Sequence, residues 1–167
     1  VAVDQTSVNR RRFGLHATVT EILMTLGPTL RKTSHAVQTD IPADIVMDSF
    51  PGPFGQIVTN LVQNALIHAF DGQENGVITI TARPKHGDWV EITVQDNGRG
   101  IAMDHLGRIF DPFFTTKFGK GGSGLGLNIV YNLATTTLGG RIRVDSLPGQ
   151  GACFTLDLPL SLPSSEE

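Results

Sequence analysis

Gln56, Asn60, Asn64 and His68 recur every four residues, a spacing that stacks them along one side of a helix. An asparagine carbonyl oxygen is a hard, neutral ligand. It suits Mg2+, which takes one or two protein groups and completes its shell with phosphate oxygens and water. A polar flank turned to solvent would show the same stripe. Asp96-Asn97-Gly98-Arg99-Gly100-Ile101 directly follows an alternating segment. Its glycines let the backbone turn tightly while the carboxylate is presented in a pocket. Such a carboxylate accepts from an exocyclic amine and repels a carbonyl oxygen, so it favours adenine over guanine; an ordinary Asp-Asn-Gly turn is the plainer reading. Gly119-Lys120-Gly121-Gly122-Ser123-Gly124-Leu125-Gly126-Leu127 runs into a helical pattern. There, glycine N–H groups and a helix N-terminus could cradle phosphates, with Lys117 and Lys120 supplying charge; a bland flexible loop is the alternative.

Two better-known phosphate loops do not apply. The pattern G-x-x-x-x-G-K-[ST] is absent. G-x-G-x-x-G occurs at Gly119, Gly121 and Gly124 but follows Asp111 to Phe118, which is no buried strand, so we read that match as accidental. The 5 histidines lack metal-ligand spacing, G-x-S-x-G is missing, and Cys153 reads as a packing residue of a strand. No residue is identified as a catalytic acid, base or nucleophile.

The elements that must position these groups are legible from periodicity. Val19, Ile22, Leu23 and Leu26 mark a helix over about 18–30, blurred by Gly27-Pro28. Segments 35–41 and 45–48 read as two short strands of a hairpin around Pro42-Ala43-Asp44. Pro51 and Pro53 open the helix that carries the amide stripe, whose Ile57, Val58, Leu61, Val62, Ala65, Leu66 and Ala69 form an apolar face. Segments 77–83 and 89–96 form a hairpin. A long loop with a short helix around 105–109 follows, then a helix over about 125–138 and a closing strand pair at 141–146 and 152–158. This mixture predicts an α+β layer: a mixed, antiparallel-rich sheet with helices on one face. Residues 1–12, ending in three arginines, read as a linker, 13–160 as one domain and 161–167 as a polar tail.

The composition agrees. At 167 residues the chain is one domain in size, with 40% hydrophobic and 17% charged residues, as in ordinary globular proteins. A net charge of −3 disfavours binding nucleic acid through the protein's field. The 1 cysteine excludes an internal disulfide and fits a reducing compartment. No apolar run approaches the ~20 residues that span a bilayer, so no membrane contact by this segment is expected.

In their order, these motifs resemble the GHKL ATPase/kinase superfamily, and more closely the catalytic and ATP-binding domain of two-component sensor histidine kinases. Asn60 to Ala65 resembles that family's N box, Asp96 to Gly100 its first glycine box, Phe110 to Lys117 its F box, and Gly122 to Leu127 its second glycine box. Gly149 to Phe154 resembles a final glycine box. The resemblance covers about residues 50–160, with 10–50 matching the usual leading strand, helix and hairpin less specifically. It implies a two-layer α/β sandwich of the Bergerat type, with three main helices on a mixed five-stranded sheet. It further implies ATP and Mg2+ as cofactors. Asn64 would hold the metal, with Asn60 and His68 beside it. Asp96 would bind the adenine amine, and Gly98, Gly100 and Ile101 would wall the base pocket. Residues 110–123 would form an ATP lid. Lys117 and the backbone of Gly122, Ser123, Gly124, Leu125, Gly126 and Leu127 would touch phosphates.

Two positions bear on activity. Many family members carry a lysine where this sequence has Ile67, so we expect Lys117 to supply more of the charge. Members that hydrolyse ATP carry a general-base glutamate where this sequence has Asn60. An amide cannot take a proton, so water attack should be slow, whereas phosphoryl transfer, which rests on positioning and charge stabilisation, stays possible. None of the histidines sits in the family's acceptor motif. The acceptor is therefore expected in a dimerisation and histidine-phosphotransfer domain of the same parent protein, with a response regulator receiver domain downstream. Further expectations are a monomer in isolation and a cytoplasmic setting, even if the parent is membrane-anchored. The alternative is a stand-alone protein-binding switch or anti-sigma-type serine kinase.

Overall fold

The computed structural model describes residues 9–114 and 126–162. In chain order they form β1 (Arg11–Gly14), α1 (Leu15–Thr25), α2 (Gly27–Arg31), β2 (Ala36–Asp40), β3 (Val46–Ser49) and α3 (Pro51–Asn64), which continues as a π turn (Ala65–Ala69). Next come β4 (Val77–Lys85), β5 (Trp89–Asp96), α4 (Met103–Leu106), α5 (Gly126–Asn132) with its own π turn (Leu133–Thr137), β6 (Arg141–Ser146) and β7 (Ala152–Pro159).

The main sheet has the order β2-β4-β5-β7-β6 and is mixed: β2 runs parallel to β4 and the other pairs are antiparallel. Alternation along the central strands sends Ile78, Ile80, Val90, Ile92, Val94, Leu156 and Leu158 into the core. The periodic face of α3, with Phe54, Ile57, Val58, Leu61 and Val62, and Val130, Ala134 and Leu138 around α5 complete that core. Helices α1, α3 and α5 pack in sequence on this one side. The other side carries ion pairs, such as Arg83–Glu91 at 3.0 Å and Arg143–Asp157 at 3.5 Å. The architecture is the expected α+β sandwich of a mixed five-stranded sheet and three main helices.

Three local expectations change. The first helix is two pieces, because Pro28 has no N–H to continue the ladder and the chain restarts at Gly27. Strands β2 and β3 exist but are not a hairpin. β2 lies beside β4, in register Ala36↔Val77, whereas β3 joins β1, in register Phe13↔Met47. An isolated two-stranded hairpin is marginal in water, and each strand gains more by joining a partner with a buried face. The short helix lies at Met103–Leu106, slightly earlier than expected.

The two ends of the described residues meet at the small β1–β3 sheet. Arg11 and Arg12 open β1 with Phe13 and Gly14; the Phe13 ring packs 6.1 Å from that of Phe54, and Arg10 Nε pairs with Asp48 Oδ1 at 3.0 Å. At the other end, Asp48 N–H donates to the Leu160 carbonyl (2.7 Å) and Leu162 N–H to the Asp48 carbonyl (3.1 Å). The chain leaving β7 thus becomes a third partner of the small β1–β3 sheet.

Candidate nucleotide-binding cleft

Asp96 ends β5 and is 7% exposed. Its Oδ1 accepts the backbone N–H groups of Gly98 (2.9 Å) and Ala152 (3.2 Å). Those bonds favour the carboxylate, but burial outweighs them and holds the pKa above the usual carboxylate value. Oδ2 has no partner among the described residues, and Asp96 lines a cleft of about 380 Å³. The backbone around it is tied down: Asn97 N–H donates to the Val77 carbonyl (3.2 Å), and Asn97 Oδ1 accepts from Val77 N–H (2.8 Å).

The end of the α3 helix forms the facing side. Its last residue, Asn64, and His68 in the π turn both line the cleft. A π turn widens the helix locally, a distortion common at functional sites. The Ala69 carbonyl, freed at the helix end, accepts from Arg99 N–H at 2.9 Å. Gly98 passes so close beneath that a Cβ there would overlap the Ala69 carbonyl oxygen. Asn60 belongs to a different network and is not among the lining residues. Its Nδ2 donates to the Gly126 carbonyl (3.3 Å), and its Oδ1 accepts from Gln56 Nε2 (2.7 Å), so it ties α3 to the first turn of α5.

The remaining walls are largely apolar: Ile101, Ile109, Phe114, Leu127 and Phe154. Gly100 also lines the cleft, with φ at +79°, a conformation that glycine adopts without strain, and a Cβ there would overlap the Leu147 carbonyl. The β6–β7 turn is clamped onto this segment through Ser146, whose Oγ accepts from Ile101 N–H (2.8 Å) and donates to the Gly151 carbonyl (2.7 Å). The volume lies in the range of small-molecule sites, and the lining fits their usual form of apolar walls with a few aimed polar groups.

Of the residues expected at the site, Asn64, His68, Asp96, Gly100, Ile101 and Leu127 share this cleft. Gly98 supports it from behind, and Asn60 and Gly126 meet each other beside it. Lys117, Gly122, Ser123, Gly124 and Leu125 lie outside the described residues. Ala152, Phe154, His105 and Ile109 join the lining without having been expected there, Phe114 joins it from the expected lid segment, and Ser146 braces it from the β6–β7 turn. The Gly149–Phe154 motif was the available signal for Ala152 and Phe154; Ser146 had none, because its role exists only across the two turns it joins. Asp96 is the sole carboxylate among the described lining residues. Hard oxygen donors reach the described lining from the Asn64 amide and the Asp96 carboxylate.

Comparison with known proteins sets this geometry in context. The family model described as "Histidine kinase-, DNA gyrase B-, and HSP90-like ATPase" matches residues 51–162. The sensor histidine kinase ZraS of Salmonella typhi is 44% identical over 131 residues, covering 78% of this chain and 26% of that protein. The alginate biosynthesis sensor protein KinB of Pseudomonas aeruginosa is 46% identical over 105 residues, covering 63% of this chain and 17% of that protein. The chain thus spans about a quarter or less of these relatives. Among solved structures, the nucleotide-free catalytic domain of histidine kinase ThkA superposes with a TM-score of 0.77 at 30% identity, covering 92% of this chain and 97% of that domain. Full-length ShkA in complex with AMPPNP gives a TM-score of 0.78 at 25% identity, covering 95% of this chain and 33% of that one. These likenesses do not favour the anti-sigma-type alternative.

Proposed function

This chain belongs to the histidine kinase-, DNA gyrase B- and HSP90-like ATPase family, as a catalytic domain of the histidine kinase type, and we propose that it binds Mg2+-ATP and donates the γ-phosphoryl group to a histidine on a helical dimerisation domain of its parent protein. A response regulator receiver domain is the onward acceptor in this reading, and the domain works in the cytoplasm. Support for the partner comes from ThkA, whose structure in complex with the response regulator protein TrrA matches this chain with a TM-score of 0.74 at 26% identity. No helix among the described residues is long and apolar enough to cross a membrane.

The observation that carries the proposal is the Asp96 carboxylate. One oxygen is occupied by two backbone N–H groups, and the other is left for a donor in a cleft with apolar walls. A planar base bearing an amine fits that arrangement on both counts. ATP, when bound, supplies the transferable phosphoryl group. Asn64 fits a divalent cation whose other ligands are phosphate oxygens and water. At the position where hydrolysing relatives place a base, Asn60 has an amide engaged with Gly126 and Gln56, which favours holding the nucleotide intact over attack by water. Lys117 and the Gly122–Gly126 backbone are assigned to the phosphates.

The test is incubation of the protein with Mg2+-ATP, quantification of bound nucleotide and its chemical state, then addition of the parent's helical domain. Intact ATP, followed by acid-labile phosphate on the added domain, is the expected result. Steady ADP release without the partner, or no transfer from ATP-loaded protein, would overturn the kinase reading.

A further inference from the structure

His105, Arg108, Asp111 and Phe114 are spaced by three. Successive turns connect them: Arg108 N–H to the His105 carbonyl (2.8 Å), Asp111 N–H to the Arg108 carbonyl (2.9 Å) and Phe114 N–H to the Asp111 carbonyl (3.3 Å). These turns bring His105 and Arg108 into contact with Phe114. Phe113, with φ at +67° and 65% exposed, turns the chain so that its own ring faces solvent while Phe114 faces the cleft. Two side chains contact the Phe114 ring. His105 meets it edge-on, with centroids 5.3 Å apart and planes at 65°, and the Arg108 guanidinium carbon stands 4.8 Å from its centroid. His105 and Phe114 line the cleft; Arg108 does not, and it has no ion pair among the described residues.

We infer that Arg108 is a positioning residue: its guanidinium seats the Phe114 ring against His105, and the ring so held completes the apolar wall on which the base of the nucleotide packs. The inference rests on the nucleotide-binding reading above. An arginine over an aromatic face is held by the ring quadrupole and by dispersion. Because Arg108 contacts the ring and is not among the lining residues, it acts through that ring on the apolar part of the ligand rather than on the phosphates. Met, which keeps a linear stem, removes the charge, and Lys keeps the charge without the planar group.

The experiment is calorimetric titration of the wild type, Arg108→Met, Arg108→Lys and the Arg108→Met/Phe114→Leu pair with its Phe114→Leu parent, each with ATP and with adenosine. Arg108→Met is expected to weaken ATP and adenosine by the same factor, about two- to fivefold, with substantial recovery in Arg108→Lys. In the Phe114→Leu background, Arg108→Met should have no further effect. Unchanged melting temperatures of the nucleotide-free variants exclude a general folding defect, and unchanged affinities would overturn the inference. So would a loss confined to ATP, which would make Arg108 a phosphate contact, or a full effect persisting without the Phe114 ring. If the wild type bound ATP normally, the function reading would survive each of those results. If the wild type bound neither ligand, both readings would fall.

Discussion

Replacing Asp96 by Asn separates what the carboxylate does for the ligand from what it does for the fold. In the native structure Oδ1 accepts two backbone N–H groups, from Gly98 and Ala152. An asparagine in the same rotamer keeps its only carbonyl oxygen on those two donors, so its NH2 group takes the place of Oδ2 and meets the adenine amine donor to donor. The lost interaction is a hydrogen bond to a charged acceptor, worth about 1.5–3 kcal/mol. This corresponds to an ATP affinity about 10- to 150-fold weaker. A guanine carbonyl would be a better partner for that NH2, so the preference for ATP over GTP should narrow by at least about tenfold. The fold should respond in the opposite sense. Burial raises the folded-state pKa of Asp96, so its contribution to stability is fully present below the unfolded carboxylate pKa of about 4 and is lost as pH rises through the folded value. At neutral pH the buried charge is a net cost, which asparagine removes while keeping both backbone bonds. Asp96→Asn should therefore melt no lower than the wild type at pH 7, with any advantage vanishing toward pH 4. In the wild type, ATP affinity should fall on acidification through that raised pKa. Calorimetric titration with ATP and GTP, with thermal melts at both pH values, checks all of this. An ATP affinity within twofold of the wild type, or an equal loss for both nucleotides, would refute the assignment of Oδ2 to the adenine amine.

Asn64→Ala should weaken ATP more in Mg2+ than in chelator, and equal losses in parallel titrations would count against a metal role. Gly100→Ala forces an L residue to the +79° φ and sets its Cβ on the Leu147 carbonyl; it should cost about 1–3 kcal/mol by denaturant unfolding and weaken nucleotide binding as well. Phe54 is 0% exposed beneath the sheet, and Phe54→Ala should cost about 3–5 kcal/mol in the same unfolding assay, with native-like stability as the contrary result. Asn60→Ala removes the tie between α3 and the Gly126 carbonyl and should lower ATP affinity only about two- to twelvefold, the scale of one neutral hydrogen bond. A loss as large as that of Asp96→Asn would place Asn60 inside the cleft instead.

Local information determined much of this protein. The 3.6-residue apolar repeat over Ile57, Leu61 and Val62 requires a half-buried helix, and the same helix carries Asn64 and His68 to the cleft wall. The alternation in β4 and β5 sets which side of each strand is core, and so delivers Asp96 at a strand end. Glycines 98 and 100 were readable as a tight turn after a strand, whereas their close approach to the Ala69 and Leu147 carbonyls belongs to the folded chain. Periodicity, strand alternation and glycine geometry act over a few residues, so one stretch of sequence records them. The tertiary structure decided the rest. Segments 35–41 and 45–48 have strand character in isolation, but their partners, β4 and β1, lie elsewhere in the chain, and backbone pairing does not depend on side-chain identity enough to name a distant partner. Asn60 and Asn64 share a helical stripe, yet only Asn64 lines the cleft, because the start of α5 takes up the Asn60 amide. Ser146 and Ala152 become site residues only when the β6–β7 turn closes over Asp96 and Ile101, joining segments some fifty residues apart. A contact of that kind is a property of the assembled layers, and no single segment of the sequence contains it.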